Sequence, residues 1–174
     1  MTKTDKARIE SAVKAVYART KINEFPIDID SVYRCYDISV IKYSDLPYVD
    51  IIRAVAASED GFCGQINGHY VVFYNDSVSE VRIRFTLMHE LGHIVLGHDK
   101  QGRREEAEAN YFASQMLVPD SALEYMLATV TKGNENTVEN IVEQITAGFR
   151  VSTQCAKITY HRYIKKMQEK PRRL

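Results

Sequence analysis

The stretch Arg84-Phe85-Thr86-Leu87-Met88-His89-Glu90-Leu91-Gly92-His93 sets two histidines four residues apart, with a glutamate directly after the first. Residues four apart share one face of an α-helix, so both imidazoles can grip one cation. Glu90 sits at the edge of that face, able to reach a water at an open coordination position without itself being a ligand. Two neutral histidines, a third ligand from elsewhere, an open position and a carboxylate base make up a zinc hydrolase site. The bland alternative is a surface helix with two solvated histidines. Val81, Ile83, Phe85, Leu87, Met88, Leu91, Ile94, Val95 and Leu96 argue against it, because they make the segment apolar on nearly every side. A helix apolar all round is a buried one. Buried histidines and a buried carboxylate need partners, and a metal ion supplies one.

Working outward, Ser77 and Glu80 read as a capping box that opens this helix, and Gly97 closes it in the C′ position. The next helix runs from about Arg103 to Val118, where Pro119 stops it. A short helix then starts at Asp120 or Ser121, a turn is expected at Lys132-Gly133-Asn134, and two more helices cover about 137–147 and 152–168. Lys170 to Leu174 reads as a frayed tail. Toward the N-terminus, Ile9, Val13, Val16 and Tyr17 mark an amphipathic helix over residues 5–19. Asp28 or Asp30 caps a short helix, residues 38–43 read as a strand, and 50–57 as helical turns. Phe62–Ile66 and His69–Tyr74 flank Asn67-Gly68, the pair favoured in a type I′ hairpin turn. The expected fold class is α+β: a mostly helical zincin-like core with a small antiparallel sheet over residues 1–130, and a C-terminal helical extension over 131–174 packed on that core.

Composition bounds the function. The chain has 174 residues, 45% hydrophobic and 26% charged, enough for an ordinary globular core. Its formal net charge of zero gives no strong pull toward nucleic acid or membrane. Met1 to Lys6 is polar, without the apolar stretch of a signal peptide, and no apolar run is long enough to span a bilayer. Cys35, Cys63 and Cys155 are odd in number and far apart, as expected of reduced thiols in a cytoplasmic protein.

The third metal ligand is open on spacing alone. Glu105, Glu106 and Glu108 lie on the next helix, and His98 follows His93 by five residues. A third histidine in the metzincin position would fall at Asp99. His98, just past the helix-ending Gly97, reads more simply as a solvent-facing imidazole at a helix C-terminus. A carboxylate from a separate helix is the gluzincin solution.

Arg84 to His93, followed by Leu96-Gly97-His98, resembles the ImmA/IrrE family of metallopeptidases. So do Glu106-Ala107-Glu108-Ala109-Asn110-Tyr111-Phe112-Ala113 and Met116-Leu117-Val118-Pro119. Phe149-Arg150-Val151-Ser152, with Ala156 in the following helix, resembles that family's C-terminal part. The resemblance is dense over about 77–119 and weaker over 140–165. It implies that Glu106, three residues before the Ala109-Asn110 pair, is the third ligand. Glu106 and Asn110 share a helix face, whereas Glu105 and Glu108 are expected to point elsewhere and be solvated. Asn110 either holds a ligand imidazole in the right tautomer or bridges helices. The implied chemistry is peptide hydrolysis with one Zn2+ held by His89, His93 and Glu106, and Glu90 as the base. Tyr70, Tyr74, Tyr111 and His69 are candidates to stabilise the oxyanion.

The same resemblance implies a narrow protein substrate in the cytoplasm: a helix-turn-helix repressor of a mobile element or stress regulon. A rival from another class is a DNA-binding or non-catalytic regulator. The last two helices look like a helix-turn-helix, and from Thr137 onward eight basic residues face three acidic ones. Ile141, Ile145, Ile158 and Tyr163 instead read as core of a helical pair, with Arg150, Lys157 and Arg162 expected to dock acidic surface on the substrate protein.

Overall fold

The computed structural model describes residues 1–100, 102–130 and 137–169. The turn expected at 132–134 and the tail from 170 lie outside them. The fold is α+β and zincin-like, and the chain divides into two compact units, Met1–Leu117 and Val118–Leu174. No described helix is long and apolar enough to cross a membrane.

The first unit opens with α1 (Lys3–Thr20), capped by a reciprocal Thr2–Asp5 box that the sequence reading did not anticipate. Ile9, Val13 and Val16 bury its inner stripe. Then come α2 (Ile29–Cys35), β1 (Ser39–Lys42), a 3-10 turn at Tyr43–Asp45 and α3 (Tyr48–Ala57). β2 (Gly61–Ile66) and β3 (His69–Tyr74) form the expected hairpin. Asn67 and Gly68 both have positive φ, 52° and 84°, as a type I′ turn requires. The expected all-antiparallel sheet is corrected in one respect. β3 lies in the middle, in the order β1-β3-β2, and β1 pairs with it in parallel. The chain from β1 passes through α3 and then β2 before β3 returns beside β1, and such a crossover makes the pair parallel.

α4 (Glu80–Leu96) packs on this sheet and, on another side, face to face with α5 (Arg103–Leu117), with Leu87, Met88, Leu91, Ala109, Phe112, Ala113 and Met116 all buried. The start of α4 also differs from expectation. Its N-cap is Ser79 without a side-chain cap bond, while Ser77 donates its N–H and hydroxyl to Asn75 Oδ1, at 2.9 and 2.6 Å. The Asx turn at Asn75 captures the serine that would have capped. The C-terminus is as read: Gly97 adopts φ 69°, its N–H bonds Ile94 O and the His98 N–H bonds His93 O, a Schellman motif.

The second unit holds α6 (Asp120–Val130), α7 (Val138–Phe149) and α8 (Thr153–Gln168). The expected boundary at 130/131 assigned α6 to the protease region. The compact units divide at 117/118, and within the second unit Asp120 takes Lys166 at 2.8 Å and Arg162 at 3.6 Å. Ile141, Ile145 and Tyr163 are core, but Ile158 is 54% exposed, so it is corrected from core to surface. Arg162, beside Asp120 with its side chain 14% exposed, is part of this unit's internal structure rather than a free docking charge.

Candidate metal centre

One face of α4 presents His89 and His93, and the adjoining face of α5 presents Glu106 and Asn110. The close helix approach that this needs is local in origin. Gly92 lies between the histidines, and a Cβ there would sit 3.0 Å from Phe112 Cδ1 and 3.3 Å from Ala109 Cα. A hydrogen at Gly92 and a methyl at Ala109 let the two backbones meet.

His89 Nε2 and His93 Nε2 lie 3.0 Å apart. Glu106 closes the triangle, with Oε2 3.3 Å from His89 Nε2 and Oε1 3.4 Å from His93 Nε2. Zinc bonds of about 2.0–2.1 Å in a tetrahedral site place neighbouring ligand atoms about 3.3 Å apart. The donor set and its spacing therefore fit one zinc-sized cation. His93 is also prepared as a ligand: burial, and next the nearby His89, hold its pKa down to about 4, so the ring is neutral at pH 7.

The ring nitrogens turned away from this point are also engaged. His89 Nδ1 lies 3.0 Å from Asn110 Oδ1. The amide oxygen can only accept, so Nδ1 carries the proton and Nε2 is left free to bind. His93 Nδ1 lies 3.0 Å from His98 Nδ1, and His98 Nε2 lies 3.3 Å from Glu108 Oε2. Two expectations are corrected here. His98 is not a solvent-facing imidazole: the Schellman turn folds it back against His93, with its side chain 7% exposed. Glu108 is not solvated either: it is 3% exposed and bonded by Arg8 and by Arg104, whose Nε lies 2.9 Å from Oε1. Burial pushes the Glu108 pKa up, but bonds from Arg104, His98 and Arg8 outweigh it and hold the group below the usual carboxylate range.

The ligand atoms open onto a cleft of about 780 Å³. Its other wall is the end of α3 and the β2 strand, at Ala57, Ser58, Gly61, Phe62 and Cys63. Gly61 permits that approach, since a Cβ there would meet Phe73 O at 2.7 Å and Thr86 Cγ2 at 2.8 Å. Glu90 faces the cleft from α4 and is only 7% exposed. Burial raises its pKa and the Glu106 charge adds to that, while His89 and bonds from the Cys63 thiol and backbone pull it back. Cys63 was not singled out in the sequence, and no local signal marks it: only strand packing puts it beside Glu90. Beside that carboxylate its own pKa is raised to about 12, chiefly by burial, so it is a neutral hydrogen-bond donor at pH 7.

None of the four oxyanion candidates lines this cleft. Tyr111 donates to Glu10 Oε1 on α1 at 2.8 Å, His69 lies 3.8 Å from Asp37, and Tyr70 and Tyr74 sit on β3, away from the cleft lining.

A family model described as the IrrE N-terminal-like domain, peptidase family M78, matches residues 47–161. The chain belongs to this family of metallopeptidases. The match takes in every residue of the M78 peptidase's His-His-Glu cluster together with Glu90, and it extends through α7 into α8. No curated protein matches the chain.

Proposed function

We propose that this M78 peptidase is a zinc-dependent endopeptidase, with His89, His93 and Glu106 as metal ligands and Glu90 as general base. The observation that carries this reading is the convergence of two imidazoles and a carboxylate, mutually within 4.8 Å, on a cleft that a second, buried carboxylate also faces. When bound, the metal supplies Lewis acidity, bringing water toward a pKa of about 7 and polarising a scissile carbonyl. Glu90 takes the proton of the attacking water and delivers it to the leaving amine. Burial raises its pKa, which makes the carboxylate a stronger base toward that water. Asn110 holds His89 in the binding tautomer. β2 is an edge strand whose first residues line the cleft, so an extended peptide can add to it through main-chain hydrogen bonds.

The proposed substrate is a cytoplasmic protein, specifically a helix-turn-helix transcriptional repressor, as membership of the family suggests. A site of this kind hydrolyses any peptide that reaches it, so selectivity has to come from surfaces outside the metal centre. The test is cleavage of a panel of helix-turn-helix repressors from the same genome against cleavage of a generic unfolded protein, each with and without chelator. Chelator-sensitive cutting confined to a repressor of the panel is the expected result. Equal rates on the repressors and the unfolded protein refute the narrow specificity, and cutting that survives chelation refutes the metal mechanism.

A further inference from the structure

We propose that His98 and Glu108 form a positioning relay for the ligand His93, anchored on α1 by Arg8. The proposal rests on the metal-site reading above and goes beyond it: both residues act through His93.

The proton positions follow from which atoms face the cation. His93 Nε2 points at Glu106 and His89, so it must be unprotonated to bind. A neutral His93 then carries its proton on Nδ1 and donates it to His98 Nδ1, 3.0 Å away. His98 therefore carries its own proton on Nε2, which faces Glu108 Oε2 at 3.3 Å. Glu108 as a carboxylate can only accept, so the carboxylate end sets the direction of the whole chain. Arg8 and Arg104 both donate to that carboxylate and fix it in a site only 3% exposed. The two ligand imidazoles are thus supported differently. An uncharged amide orients His89, whereas a buried anion acting through a second imidazole orients His93 and makes it a stronger donor to the metal.

The sequence carries the device in compact form. His93 and His98 bracket Gly97, and the left-handed Gly97 directs the His98 N–H onto the His93 carbonyl. That Schellman turn brings the second ring beside the first. Glu108 lies on α5 and Arg8 on α1, 100 residues apart in sequence, so the relay links the metal ligand to the first helix.

The experiment measures zinc affinity by competition with a chromophoric chelator, together with the His93 tautomer by 15N NMR of the apo protein. In the parent we expect one zinc per chain and a proton on His93 Nδ1. His98→Ala should weaken zinc binding by about 10–100-fold, and His93 should revert toward the Nε2–H tautomer that free imidazole prefers. In His98→Asn, Oδ1 takes the place of the lost Nδ1 acceptor, but the link to Glu108 is gone. It should keep the Nδ1–H tautomer and recover part of the affinity. Glu108→Gln keeps the shape but adds a donor, so the direction of the chain is no longer fixed: it should weaken zinc binding and let the Nε2–H tautomer of His93 appear, and it serves as the second variant if His98→Ala does not fold. A parent that binds no zinc defeats the metal reading itself. A parent that binds zinc, with folded His98 and Glu108 variants of unchanged affinity and unchanged His93 tautomer, overturns the relay alone.

Discussion

Gly92→Ala tests whether the spacing of α4 and α5 sets the metal centre. Two effects of known size oppose each other. Alanine in a helix interior is favoured over glycine by about 1 kcal/mol. Against this, the new methyl would stand 3.0 Å from Phe112 Cδ1 and 3.3 Å from Ala109 Cα, where carbon atoms prefer about 3.5–4.0 Å. The Phe112 ring can turn, but Ala109 Cα is backbone and yields only if α5 moves by a few tenths of an ångström. Overpacking of a tight core costs about 1–3 kcal/mol, so the net effect should be a loss of about 0–2 kcal/mol. Metal affinity is the sharper readout. The contact lies within a turn of His89, His93 and Glu106, and metal sites tolerate about ±0.2 Å in their bonds. Zinc binding should weaken on the order of tenfold, because Glu106 moves relative to the histidine pair. The assay is urea unfolding in chelator, so that metal binding does not feed into stability, followed by zinc competition on the refolded protein. A variant about 1 kcal/mol more stable than the parent, with unchanged zinc affinity, would show that helix propensity wins and that the close approach does not hold the ligands.

Other outcomes follow from the same geometry. Glu90→Gln should retain zinc but lose at least about a hundredfold in hydrolysis, because an amide cannot take the proton; an unchanged turnover rate would remove Glu90 as the base. His93 in the apo protein is held near pKa 4, against 6.5 ordinarily, so between those values the unfolded chain binds a proton there that the folded one does not. Its contribution to apo stability is therefore complete above pH 6.5 and lost as pH falls toward 4. The urea midpoint of the parent should drop more between pH 7 and 4.5 than that of His93→Leu, and an equal drop would refute the assignment. Asp28 caps α2 through the Asp30 and Ser31 N–H groups, so Asp28→Ala should cost about 1 kcal/mol near neutral pH in a denaturant titration. The Ser31 hydroxyl bond lowers the Asp28 pKa below 3.8, so the gap between parent and variant should persist above that value and close as pH falls beneath it.

The features that could be read before folding are those local in the chain. The four-residue histidine spacing, the Gly97 stop, the Asn67-Gly68 turn and the proline after α5 each act within a few bonds of the backbone, so the helix bearing His89, Glu90 and His93 and the β2–β3 hairpin were legible as elements. What required tertiary structure was anything decided by which surfaces meet. Parallel pairing of β1 depends on a crossover whose path no local pattern records. Ser77 had the right spacing to cap α4, yet Asn75 claimed it. Glu105, Glu106 and Glu108 are chemically alike on one helix, and only the packing of α5 against α4 and α1 turns Glu106 toward the histidines and buries Glu108 against Arg8 and His98. His98 looked like a solvated helix-end imidazole because its partner's depth is invisible in sequence. Burial, unlike periodicity, belongs to no single segment. It changes what a carboxylate or an imidazole does, by removing water and leaving the neighbouring side chains as its only partners.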